Sequence, residues 1–266
     1  MSTLHVREAG QGAAVVLLHA FPCDGRLWQA QTESIAASGW RVVVPDLPGF
    51  GSSPLPEQAP DLDVVADAVI DLLAREGTDR CVLGGVSLGG YVAMAMMRRR
   101  PDLVAGLMLC DTKATADDEG ARANRERLAM LCLDTPSDTA RILEQAVLPG
   151  LLGGTTRSSR PDVVKRVLGW LSEADADSVA WYQRAMAGRP DSLATLADAA
   201  VPTLIVYGDE DTLSPRAEQD LMVTANPDTQ LVVVPGAGHL ALIEDAPAVT
   251  AAMTHFLGLV RDLQTS

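Results

Sequence analysis

Five consecutive residues, Gly85-Val86-Ser87-Leu88-Gly89, set a serine between two glycines. The apolar run Arg80 to Leu83 before them reads as a strand, and Tyr91 to Met97 after them reads as a helix. A serine on so sharp a strand-to-helix turn is held strained with its hydroxyl exposed, and its neighbours two before and two after must be small because the backbone passes close by. A hydroxyl is a weak nucleophile until a base takes its proton. Four histidines are available: His5, His19, His239 and His255. His239 stands in Gly236-Ala237-Gly238-His239, just after the strand candidate Gln230 to Val234, which is where a base belongs. His255 falls inside the last helical stretch and reads as a packing or surface residue, and no motif surrounds His5. The base in turn needs a carboxylate that orients it and stabilises the imidazolium. Asp209, Glu210 and Asp211 crowd the loop after the strand candidate Thr203 to Tyr207, and spacing alone leaves the choice among them open. Serine, acid and histidine each follow a strand, so all three can meet at one edge of a sheet.

Attack on an acyl carbon builds charge on its oxygen, which must be met by aimed N–H donors. The amide of Leu88 opens the helix after the serine, where the helix dipole favours negative charge. A second donor is expected from the early loop Leu18-His19-Ala20-Phe21-Pro22. Pro22 has no amide hydrogen, so Phe21 is the candidate. His19 reads as the residue that holds this loop in shape.

The elements that must position these groups are legible as a pattern. Val15 to Leu18, Arg41 to Val44, Cys81 to Leu83 and Gly106 to Cys110 are apolar runs without alternation, as expected for parallel strands covered on both faces. Asp61 to Arg75 separates two of them and gathers Val64, Val65, Ala68, Val69, Leu72 and Leu73 on one helical face. Strands alternating with helices imply an α/β fold with a mostly parallel sheet. From Lys113 to Ser192 no strand is evident; the segment reads as several helices broken at Pro136, Pro149-Gly150, Gly153-Gly154, Pro161 and Gly188. β-type runs then resume, and a last helix spans about Pro247 to Leu263. The expected organisation is a core of residues 1–112 and 193–266 with a helical cap, 113–192, over the carboxyl ends of the strands, where ligands bind in such sheets. Within the cap, Trp170 and Trp181 are candidate substrate contacts, joined by Trp28 from the early loop.

These segments resemble the α/β-hydrolase family, in particular its small, capped, esterase-like and enol-lactonase-like members. The resemblance rests on Leu17 to Pro22, on Pro45-Asp46-Leu47-Pro48-Gly49-Phe50-Gly51-Ser52-Ser53, on Gly85 to Gly90, and on Gly208 to Pro215 with Gly238-His239. It implies that the acid stands last in a G-x-x-D pattern, which selects Asp211, and that the Asp46 loop is structural and lines the entrance. The family often has His-Gly where this chain has His19-Ala20. Serine at the elbow departs from the branches that use aspartate there, and the residue after it is not the tryptophan of iminopeptidase-like members. The implied activity is hydrolysis of a carboxylic ester or lactone through an acyl-enzyme on Ser87, without cofactor or metal. Carbon–carbon bond hydrolysis, perhydrolysis and acyl transfer use the same triad, and a non-catalytic binding protein on the same fold is the remaining alternative.

Composition narrows the partners. The formal net charge of −14 repels phosphate backbones and anionic lipid, which argues against nucleic acid and membrane partners and otherwise serves solubility; the small-molecule substrate follows from the implied ester or lactone chemistry. No apolar stretch reaches the ~18 residues of a membrane helix. Cys23, Cys81, Cys110 and Cys132 include no C-x-x-C pair, and two of them sit in buried-strand runs, so a reducing, cytoplasmic setting is expected.

Overall fold

The computed structural model describes residues 4–265. Its sheet has seven strands: β1 (Val6–Ala9), β2 (Ala14–Leu18), β3 (Arg41–Pro45), β4 (Cys81–Val86), β5 (Val104–Cys110), β6 (Thr203–Gly208) and β7 (Gln230–Val234). Their spatial order is β1-β3-β2-β4-β5-β6-β7, with β1 antiparallel to β3 and every other pair parallel. The fold is therefore the expected α/β one. Strand β1 is the element the apolar pattern does not reveal. Val6-Arg7-Glu8-Ala9 is half polar and lies at the edge, so only one neighbour and one face constrain it.

The helices α1 (Gln29–Ala37), α2 (Leu62–Arg75) and α3 (Leu88–Arg99) occupy the first half. Asp61 begins α2 by accepting a hydrogen bond from the amide of Asp63, and Leu62, Val65, Ala66, Val69, Leu72 and Leu73 form its buried face. Seven helices lie between β5 and β6: α4 (Glu119–Asp134), α5 (Thr139–Ala146), α6 (Leu148–Leu151), α7 (Gly154–Ser159), α8 (Pro161–Glu173), α9 (Ala176–Gly188) and α10 (Leu193–Ala197). The chain closes with α11 (Arg216–Ala225), α12 (Ala241–Glu244) and α13 (Ala246–Thr265). Among the described residues no helix is long and apolar enough to cross a membrane.

Register decides where the chemistry sits. Leu18 pairs with Gly85, Val86 with Cys110, Cys110 with Val206, and Gly208 with Val234. The parallel strands thus end at nearly one level. The loops that leave them, starting at His19, Ser87, Asp111, Asp209 and Pro235, emerge side by side at their carboxyl edge.

Candidate active site

Ser87 occupies the one-residue turn between β4 and α3 at φ 53°, a left-handed conformation that non-glycine residues seldom adopt. The flanking glycines have a direct steric cause. A Cβ on Gly85 would lie 2.2 Å from the carbonyl oxygen of Gly89, and one on Gly89 would lie 2.1 Å from that of Leu18. The first substituent would push the end of β4 off the start of α3, and the second would push the elbow away from β2.

His239 Nε2 lies 2.7 Å from Ser87 Oγ, and its Nδ1 lies 2.8 Å from Asp211 Oδ2. Asp211 is buried, and its Oδ1 accepts the amides of Leu213 (2.8 Å) and Ser214 (3.1 Å). The Ser214 hydroxyl donates a short bond to Oδ2 and stands 3.5 Å from His239 Nδ1. Ser214 was not among the sequence candidates; its signal is the short polar side chain three residues after an aspartate, an arrangement suited to a local turn. Burial works against charge at both partners. It alone would raise the Asp211 pKa, but His239 and the bonds from Ser214 hold the carboxyl below its ordinary value. Burial would likewise lower the His239 pKa, yet the charge and hydrogen bond of Asp211, with Asp111 and Glu244 behind, leave it raised.

The other two acids of the loop point elsewhere. Asp209 Oδ1 accepts the amide of Gly236 at 2.7 Å. Glu210 turns to the start of α7, accepting the amide of Thr155 at 2.8 Å and bonding its hydroxyl. A second carboxylate, Glu244, supports the histidine loop. One of its oxygens accepts the amides of Gly238 (2.9 Å) and Leu240 (3.2 Å), and the other accepts that of Gly153 (2.9 Å). Backbones cross closely here: a Cβ on Gly238 would lie 2.1 Å from the amide nitrogen of Gly153.

The early loop is fixed by His19. Its Nδ1 bonds the carbonyl of Ala20 and its Nε2 accepts the amide of Leu47, each within 2.9 Å, which defines a neutral ring with the hydrogen on Nδ1. Burial lowers its pKa, in keeping with that neutral state. Phe21 follows, buried edge-on against Phe50, whose other face meets Tyr182 of α9. Leu88 is the first residue of α3, so its amide has no carbonyl to bond within the helix. Asp46 is fully buried and accepts the amides of Gly25 and Ser52 as well as the side chains of His5 and Arg7.

The three tryptophans are in different settings. Trp28 lies in a 3-10 turn, Gly25–Trp28, fully buried, with its indole nitrogen unpartnered. Trp181 donates to the carbonyl of Gln58 at 2.9 Å and meets Tyr182 at a ring distance of 5.0 Å. Arg166 covers the ring of Trp170.

Asp111, directly after β5, is fully buried at φ 42°. Burial, joined by repulsion from Asp211, pushes its carboxyl up to about 8, against the pull of His239 and two backbone amides.

Known proteins share this arrangement over nearly the whole chain. A thermophilic esterase from Thermogutta terrifontis superposes with a TM-score of 0.90 at 37% identity, covering 97% of this chain and 93% of that one. A pimeloyl-[acyl-carrier protein] methyl ester esterase from Aeromonas hydrophila is 28% identical over 261 residues, spanning 96% of this chain and all of its own length. The enol-lactonase from Burkholderia xenovorans, at 23% identity and a TM-score of 0.86 over 96% of both chains, shares the fold. The profile of the alpha/beta hydrolase family matches residues 15–253. The chain belongs to the alpha/beta hydrolase family.

Proposed function

We propose that this protein is a carboxylic ester hydrolase whose nucleophile is Ser87, with His239 as general base and Asp211 as the carboxylate that orients it. The observation that carries the reading is the unbroken relay, 2.8 Å from Asp211 to His239 and 2.7 Å from His239 to Ser87. These lengths suit a base that removes the hydroxyl proton as the bond to carbon forms. Ser87 Oγ attacks the acyl carbon and its proton passes to His239 Nε2. The amides of Phe21 and Leu88 receive the oxyanion. The alkoxide leaves with the proton from His239. Water then attacks the acyl-enzyme, giving its proton to His239, and the acid departs as Ser87 is reprotonated.

The substrate is a small ester or lactone. The names of the similar esterases and enol-lactonase support that class. Residues 113–192 act as a cap over the site, with Trp28, Trp170 and Trp181 contributing to the substrate wall. Four unpaired, buried thiols support a cytoplasmic location.

A fluorophosphonate probe tests the nucleophile. Wild type is expected to label and Ser87→Ala to stay unlabelled; equal labelling of both, or of neither, overturns the assignment. A panel of short esters and lactones tests the reaction, and failure on every member overturns the esterase reading.

A further inference from the structure

We infer that Asp111 is a positioning residue for the triad, through a turn, Cys110-Asp111-Thr112, that fastens all three catalytic loops to one point. The inference rests on the hydrolase reading above. Asp111 Oδ1 accepts the amide of Gly208 at 2.9 Å, three residues before Asp211. Its Oδ2 accepts the amide of Ala241 at 3.0 Å, two residues after His239. One carboxyl therefore joins the acid loop to the base loop, reaching 97 residues along the chain to the first and 130 to the second. Its neighbours hold the nucleophile. The carbonyl of Cys110 accepts the amide of Ser87 at 3.0 Å, and the hydroxyl of Thr112 donates to the carbonyl of Ser87 at 2.8 Å. The carbonyl of Thr112 accepts Gln219 Nε2 (3.0 Å), which also donates to the carbonyl of Ser214 (2.8 Å), the residue bonded to Asp211.

The side-chain chemistry singles out a carboxyl. Asparagine and glycine suit a left-handed backbone as well as aspartate or better, so φ 42° does not by itself call for Asp111. What aspartate adds is a second oxygen able to accept a hydrogen bond, where asparagine has an NH2 group. The site presents two buried N–H groups, from Gly208 and Ala241, that would otherwise lack partners. Asparagine could satisfy one of them and would turn an amide N–H toward the other. Asp111 touches neither the Ser87 hydroxyl nor the His239 ring in any hydrogen bond, so its effect passes through the loops.

The test compares Asp111→Asn with wild type in kcat, KM and the rate of fluorophosphonate labelling. A displacement of about 1 Å between nucleophile and base can cost on the order of 10²-fold in rate. Asp111→Asn is expected to lose about that in kcat and in labelling rate, with KM changed less than about threefold. Leu73→Ala, a buried truncation in α2, serves as the control: its Tm falls while kcat measured well below that Tm holds. Wild-type kcat and labelling rate in folded Asp111→Asn overturn the proposal. Should that variant fail to fold, Thr112→Val decides, since it frees the carbonyl of Ser87 alone; a loss of about tenfold in kcat supports the turn's role and a wild-type value overturns it. If wild type itself does not label, the nucleophile assignment falls and this proposal with it; labelled wild type with an unimpaired Asp111→Asn removes this proposal alone.

Discussion

The carboxyl edge of the sheet and the helical segment between β5 and β6 use polar residues in opposite ways. At the sheet edge the carboxyls of Asp46, Asp111, Asp211 and Glu244 are buried, and each accepts two to four hydrogen bonds, mostly from backbone amides. In the helical segment most charges lie on the surface. Arg184 pairs with Glu126 and Arg26 with Glu173, all of them more than a third exposed. Formal charge divides in the same way: residues 113–192 hold 11 Lys or Arg against 12 Asp or Glu, and the remainder holds 10 against 23. The segment makes an exception near its base. Asp117 is buried against Arg189, Arg125 and Lys113, and Arg189 also stacks over Tyr91 of α3. Burial would raise the Asp117 pKa, but the bonds from Arg189 and Arg125 hold it down at about 2. The difference teaches that buried, multiply bonded carboxyls are kept for the candidate site and for the base of the segment, while exposed pairs serve the surface in between.

The largest effect that would break this comparison is at the acid. Asp211→Asn is expected to lower kcat by about 10⁴-fold, as loss of the orienting carboxylate does in such triads. Asp209→Asn, which keeps an acceptor oxygen for the amide of Gly236, should stay within about threefold of wild type in the same assay; the reverse ranking would show that the wrong acid has been assigned. The pH profile sharpens the point. His239 must be neutral to accept a proton, so activity falls as pH drops through its raised pKa, and the acid limb of kcat/KM should lie above 6.5. Removing the Asp211 charge removes the main influence that raises it, so in Asp211→Asn the limb should move to lower pH.

Next in size is the buried root of the helical segment. Arg189→Met leaves Asp117 with fewer partners and is expected to cost about 3–5 kcal/mol, read as a fall in Tm of roughly 6–15 °C. The smallest effect is expected at the surface, where Arg184→Ala should change stability by less than about 1 kcal/mol in denaturant titration. A surface pair that proved as costly as Arg189 would erase the contrast.

How much the sequence disclosed follows from how local each signal is. The serine elbow is legible because the small residues that backbone crowding demands, Gly85 and Gly89, stand within five residues of sequence. The six parallel strands are legible because both of their faces are apolar. His239 and Asp211 follow from their places after strands, with the family resemblance choosing Asp211 from three acids. Asp111 and Glu244 carry no such mark. Three of their partners are backbone amides 97, 130 and 91 residues away, and a backbone amide leaves no trace in the residue type of its donor. The same reason hides Glu210, whose bond to Thr155 spans 55 residues.

The crossing of Gly153 and Gly238 bears on how this enzyme could be diversified. Glu244 bonds amides on both sides of that crossing, and Glu210, one residue before Asp211, grips the next turn at Thr155. A mutant library spread over 119–197 would therefore meet a forbidden zone at this crossing. Changes at exposed positions of α4, α5, α8 and α9 would leave these bonds in place. Any side chain placed at 153 or 238 would lift the segment off the histidine loop, so improved clones should keep both glycines whatever substrate they are selected on.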